Sequence, residues 1–310
     1  MPMKLFPSAL AWRLTFSLVL VEAVLFPLTG LTLDPFVLLA IAVHAGPFLA
    51  VATFYHYRRP DPVVNAITTS FAFIAIFSPI GAGLSYLSVA SNFPLRDAWA
   101  AAADEALGFS WFAHLEMVGA HRWLLDTLLW CYDSAFRQIF LAVILLGFYD
   151  RDRLRIFLHC YAATGIGCIL IAWTIPMAGA YFFHQPEPHL LSNFSDPLTG
   201  RWQEEVFFNL RTGALTLVKL HQSEGVIQFP SFHTSVACIL TYAYWGFRWL
   251  RVPILGVNIL MAAATPIIGG HFLVDTLGGL FLAVLSIWFF RRRLLAQQAA
   301  ALPSGNILPK

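Results

Sequence analysis

The chain has 310 residues, of which 58% are hydrophobic and 12% charged, with a formal net charge of +2 and a mean hydropathy of +0.69. No water-soluble surface accommodates that balance, so two soluble domains of ordinary size are excluded and an all-α integral membrane protein is expected. The near-neutral charge leaves no footprint for nucleic acid, and the charges that exist matter by position.

Taken in order, Lys4 and Arg13 lie ahead of and within a first apolar run that closes at Phe26-Pro27-Leu28. No small-residue cleavage site follows cleanly, so the run reads as an uncleaved first helix and not as a signal peptide. Spans are predicted at roughly 9–30, 36–55, 64–90, 123–148, 155–183, 231–247, 252–269 and 272–290, about eight helices. Arg58-Arg59, the Arg151/Arg153/Arg155 cluster, Arg248 with Arg251, and Arg291-Arg292-Arg293 then fall on the same side as Lys4, which predicts both termini cytoplasmic. Residues 1–63 form an N-terminal pair of spans, 64–290 a six-helix core, and 291–310 a cytoplasmic tail.

Two long connections face the opposite side. The first, 91–122, carries Arg96, Asp97, Asp104, Glu105, Glu116 and Arg122 among alanines and aromatics and reads as one or two interfacial helices. The second, 184–229, is long enough that a functional segment is expected. Within it Trp202, Val206, Phe207 and Leu210 share a helical face that would lie on the bilayer and wall in a site. Asn193-Phe194-Ser195 has the form of a glycosylation acceptor. His184 and His189 bracket Gln185-Pro186-Glu187-Pro188, where metal binding is the less favoured reading.

Polar residues inside spans have bland readings first. Asp133 and Arg137 stand one turn apart and are expected to neutralise each other. Glu22, His44 and His159 are each alone in their spans, so a hydrogen bond to a neighbouring helix is expected for each. Cys131, Cys160, Cys168 and Cys238 all lie in apolar runs and read as packing residues.

The chemistry gathers at two stretches, Phe229-Pro230-Ser231-Phe232-His233-Thr234 and Gly269-Gly270-His271-Phe272-Leu273-Val274-Asp275. Each sets a histidine where a membrane helix meets water. Asp275 follows His271 by four residues; on a helix the carboxylate holds one ring nitrogen and leaves the other free to attack. In the first stretch Pro230 suits a helix start, and Ser231, Thr234 and Ser235 crowd hydroxyls around exposed backbone N–H groups, a cradle for phosphate. His233 is placed to donate a proton to a departing oxygen.

These two stretches, about forty residues apart, resemble the second and third signature motifs of the type 2 phosphatidic acid phosphatase (PAP2) superfamily. The resemblance is strongest over 205–290 and implies a six-helix core opening on the outer, periplasmic or lumenal, side. It implies His271 as the nucleophile of a phosphohistidine, Asp275 as its orienting carboxylate, His233 as general acid and Ser231 as a phosphate ligand, with no cofactor or metal. Where the phosphatases carry Ser-Arg ahead of the third-motif histidine, this chain has Ala264 and Thr265. The lysine and Arg-Pro of the usual first motif are also absent. Arg211 and Lys219, with Arg201 further off, are the cations offered in their place, and Thr234 joins them as a substrate-binding residue. The missing arginine, and Phe232 where the phosphatases have glycine, make the chain similar to the inositol phosphorylceramide synthase-like (inositolphosphotransferase) branch, which moves a phosphorylated head group between lipids. The expected function is thus a lipid phosphatase or phosphotransferase acting on a lipid phosphate or phospholipid, with a lipid acceptor in the transfer case. A polytopic transporter would gather its polar groups near the midplane instead of at one face. A scaffold without catalysis is the third class, against which the retention of His233, His271 and Asp275 together argues.

Overall fold

The computed structural model describes residues 6–194, 201, 203–219 and 225–301. Among them the chain forms twelve α-helices and a two-stranded parallel ladder too short to organise anything larger. The helices are α1 (Ala9–Leu28), α2 (Pro35–Tyr57), α3 (Pro62–Ala90), α4 (Asp97–Ala106), α5 (Trp111–Ala120), α6 (Arg122–Tyr149), α7 (Arg151–Thr174), α8 (Ala180–His184), α9 (Glu204–Thr212), α10 (Phe232–Tyr244), α11 (Arg251–Ile268) and α12 (Leu273–Ala301). Their starts follow local chemistry. Ser8, Asp34, Asp61 and Asp150 accept first-turn N–H groups, and Pro35 and Pro62 occupy positions where a missing N–H costs nothing.

Seven helices are long and apolar enough to cross a membrane: α1, α2, α3, α6, α7, α11 and α12. The protein is an all-α, multi-pass membrane protein. The eighth expected span, 231–247, is shorter than anticipated. Its helix α10 has 13 residues and is about 20 Å long, against a hydrocarbon core of about 30 Å. It is shielded from lipid by α6, α7, α11 and α12, so it need not match the bilayer's thickness. At the other extreme α12 continues through Arg291–Arg293 to Ala301, past the boundary at 290 read from hydropathy.

The central cluster is built from Trp12, Phe73, Phe77, Phe157, Tyr161, Ile239, Leu240 and Tyr244, joining α1, α3, α7 and α10. The N-terminal pair docks on α3. Connectivity separates the two ends of the bundle. α11 begins at Arg251 and ends beside His271, while α7 begins at Arg151 and runs into Pro176–Gly179 beside Asp97. The arginine-rich end and the histidine end are therefore opposite.

At the histidine end the segment 91–122 forms α4 and α5, as its composition suggested. The apolar face of α9 packs on protein: Phe207 and Leu210 are buried in one cluster with Leu84, Leu87 and Val226, and α9 packs on α3. Trp202, which was to share that face, lies outside the described residues, as does Ser195 of the glycosylation pattern. Asn193 Nδ2 donates to Gly119 O at 2.9 Å. His184 stacks on Trp111, and His189 meets Glu187.

The expected Asp133–Arg137 pair is a correction. Arg137 instead donates to Trp130 O at 3.2 Å and lies over the Trp130 ring, two turns back along α6, and forms no ion pair with Asp133. His159 has the cross-helix bond expected of it, to Ser8 Oγ at 2.8 Å, whereas exposed His44 bonds only within α2, to Ala40 O. Glu22 of α1 lies against Gly83 of α3. The four cysteines are free, three of them buried.

Candidate active site

The starts of α10 and α12 meet at the site. Ser231 N donates to Asp275 O at 2.9 Å, and Ser235 Oγ donates to Gly279 O at 2.8 Å, so the two helices are laced together one turn inside their ends. The approach depends on Gly279, because a Cβ there would collide with Ser231 O. His271 precedes α12, and its Nδ1 lies 3.2 Å from Asp275 Oδ2; the same carboxylate oxygen accepts Phe272 N at 2.9 Å. Asp275 is fully buried and His271 is 5% exposed. With Nδ1 so occupied, His271 Nε2 faces Ser231 Oγ at 3.5 Å.

Ser231 is the N-cap of α10, accepting Thr234 N at 3.4 Å and Thr234 Oγ1 at 3.3 Å. Thr265, in the position where the phosphatases carry arginine, places Oγ1 3.4 Å from Thr234 Oγ1 and donates to Met261 O. A third hydroxyl thus joins the polar end of the site where a guanidinium would otherwise lie.

Two helix N-termini converge here, yet they are not equivalent. At α12, Phe272 N is taken by Asp275, while Leu273 N and Val274 N donate to Asp104 at 2.8 and 2.9 Å. Carboxylates already fill that end. The α10 start carries hydroxyl groups and an imidazole but no carboxylate, so it is the end that suits an anion.

A cavity of about 270 Å³ leads from this polar end into the bundle. His233, His271, Tyr132 and Gln203 line its polar part, and Phe77, Ile139, Tyr161, Ile169, Phe232 and Val236 are among the apolar residues further along. His233 stacks face-on against Tyr132 of α6. Among the described residues no lysine or arginine lines the cavity.

The structure therefore brings together Ser231, His233, Thr234, His271 and Asp275, and leaves two expected residues apart from them. Arg211 donates from Nη2 to Phe93 O at 3.0 Å and lies over the Phe207 ring, and Lys219 follows the short strand Leu217–Val218; neither lines the cavity. Sequence reasoning did not find Tyr132 or Gln203, and named Asp97 and Asp104 only as charges of the 91–122 segment. Asp97 accepts Ala178 N and Gly179 N. Burial raises the carboxyls of Asp97 and Asp104 above the usual aspartate range, against the opposing pull of their backbone donors. Among the described residues no group of three His, Cys, Asp or Glu is arranged to hold a metal ion.

A family model for the PAP2 superfamily matches residues 98–289, more than half of the chain. The chain belongs to the PAP2 superfamily. The match takes in α4 through most of α12, so both histidine stretches and α5 fall within it, while α1, α2 and α3 lie outside. Comparison with curated proteins and with solved structures finds no match. Membership carries an enzyme of the phosphoesterase and phosphotransferase kind, acting in a bilayer.

Proposed function

We propose that this PAP2 protein is a lipid phosphatase or phosphotransferase working through a phosphohistidine on His271. The observation that carries the reading is the His271–Asp275 pair facing the Ser231 cap of α10 at the polar end of an apolar cavity.

With Nδ1 held by Asp275, His271 attacks phosphorus through the Nε2 lone pair. As the N–P bond forms, the P–O bond to the leaving group breaks, and the departing alkoxide takes a proton from His233. Ser231, Thr234 and the first-turn N–H groups of α10 meet the phosphoryl oxygens as charge builds on them. In the second half His233 takes the proton of an incoming hydroxyl, whose oxygen bonds to phosphorus while the N–P bond breaks and His271 is regenerated. Every catalytic group in this cycle is a side chain or backbone N–H of the protein, and none of the steps uses a metal.

Head-group transfer is favoured over simple hydrolysis by the lack of lysine and arginine among the described residues that line the cavity. A phosphomonoester brings up to two negative charges to a set of hydroxyl, amide and imidazole donors, whereas a phosphodiester brings one. That supports a phospholipid donor and a lipid hydroxyl acceptor, the chemistry of the inositol phosphorylceramide synthase-like branch. By the positive-inside rule the arginine-bearing end is cytoplasmic, which puts both termini there and the site on the extracytoplasmic face.

The test is to incubate purified protein with lipid phosphates and with phospholipids, phosphoinositides included, with and without an acceptor lipid, scoring free phosphate separately from new lipid product. Transfer predicts new lipid only when acceptor is present. Free phosphate without acceptor would make the protein a hydrolase, and inertness toward the whole panel would sink the enzymatic reading.

A further inference from the structure

The buried carboxylates of α4 stand on the same helix face, seven residues and so about two turns apart. Asp97 is 4% exposed and Asp104 3%, in a segment whose sequence reads as a surface helix. Neither forms an ion pair among the described residues; both spend their oxygens on backbone N–H groups.

Those N–H groups bracket His271. Asp104 takes Leu273 N and Val274 N, two and three residues after the histidine. Asp97 takes Ala178 N and Gly179 N, and the next residue, Ala180, donates its own N–H to Gly270 O at 2.8 Å, immediately before the histidine. The second route leaves no slack at Gly179. Its φ is +110°, and a Cβ there would lie 2.9 Å from both Gly270 O and Gln228 Nε2.

We propose that Asp97 and Asp104 are positioning residues for His271, and that α4 works as a rigid bar fixing the imidazole opposite the α10 cap from both sides of its backbone. Burying two carboxylates for backbone hydrogen bonds alone is costly. It also gives charge-assisted bonds in pairs, which hold a loop more firmly than single neutral ones. The two carboxylates reach the nucleophile through the chain on either side of it and touch no reacting atom. Asp275 orients the ring about its own bond; α4 sets where the ring stands. The inference rests on His271 being the nucleophile.

Asp104→Asn and Asp97→Asn keep the shape but replace a two-oxygen acceptor by a one-oxygen acceptor. Misplacing a reacting group by about 1 Å can cost about 10²-fold in rate. Each variant is therefore expected to lose about ten- to hundredfold in kcat, with KM within about twofold of wild type. The acid-labile phosphohistidine formed in a first turnover should fall in parallel. Wild type and His271→Gln, assayed alongside, separate the two layers of the reading. An active wild type and an inactive His271→Gln with unimpaired aspartate variants would overturn the positioning role alone, while activity in His271→Gln would overturn the nucleophile and this inference with it. A loss in kcat that only tracks the loss of folded protein in detergent would make the carboxylates structural staples. So would failure of both variants to fold.

Discussion

Tyr132 lies face to face with His233, ring centroids 4.1 Å apart and planes 10° from parallel. The stack joins α6 to the first turn of α10 and sets the plane in which the His233 nitrogens can point into the cavity that both residues line. An aromatic pair contributes about 0.5–1.5 kcal/mol beyond its burial. Tyr132→Leu is expected to lower kcat by about two- to tenfold, and Tyr132→Phe, which keeps the ring, to stay within about twofold. Steady-state kinetics on the two variants decide the matter. Equal losses would shift the role from the ring to the phenol hydroxyl.

His271→Gln should reduce turnover to background and remove acid-labile phosphate from quenched protein. Glutamine retains an amide able to donate to Asp275, which also keeps the Phe272 N–H, so the buried carboxylate is not stranded. The melting temperature in detergent is therefore expected to change by only a few degrees. Turnover at the wild-type rate would rule out the covalent intermediate.

The parts of this site that were legible in the sequence are those made by near neighbours. His271 with Asp275, and Ser231 with Thr234, are spacings of four and three residues that a helix start converts directly into contacts. Hydropathy located seven spans because lipid imposes its own length on them. It overestimated α10, whose neighbours are helices, not lipid. Tyr132, 101 positions before His233, and Asp104, 169 before Leu273, carry no local signal, because nothing in α4 or α6 says what folds against them. The Asp133–Arg137 expectation failed for a related reason. One-turn spacing permits a pair, but rotamer direction chooses the partner, and here it chose Trp130.

Arg211 was the cation offered for the missing phosphate ligand, and its contacts point elsewhere. It ties the end of α9 to Phe93 O and covers Phe207, an anchoring role between α9 and the segment after α3. Arg211→Lys is expected to cost about 1 kcal/mol of stability, since an ammonium replaces the planar stack and the directed donor. It should leave kcat within about threefold, and Lys219→Ala should change neither. Thermal melts paired with kinetics test this. A tenfold fall in kcat for Arg211→Lys at unchanged melting temperature would return the guanidinium to the phosphate.

Gly81 on α3 and Gly165 on α7 both line the apolar part of the cavity, and they separate chain binding from chemistry. A Cβ on Gly81 would meet only Ile169 Cδ1, at 3.9 Å, so a larger side chain fits its own helix and grows into the cavity. Gly81→Leu then competes with substrate chain for space. Excluding two or three methylenes costs about 2 kcal/mol, or about thirtyfold in KM for a long-chain substrate, with kcat on a short-chain analogue unchanged. Gly165 is the opposite case: its Cβ would already lie 3.4 Å from Phe77 and 3.6 Å from Phe232, the residue beside His233. Gly165→Leu should therefore disturb the α10 start and depress turnover on both substrates alike. Measuring both variants on the two chain lengths gives the comparison. A Gly81→Leu protein equally impaired on both would mean that the lipid chain does not enter between α3 and α7.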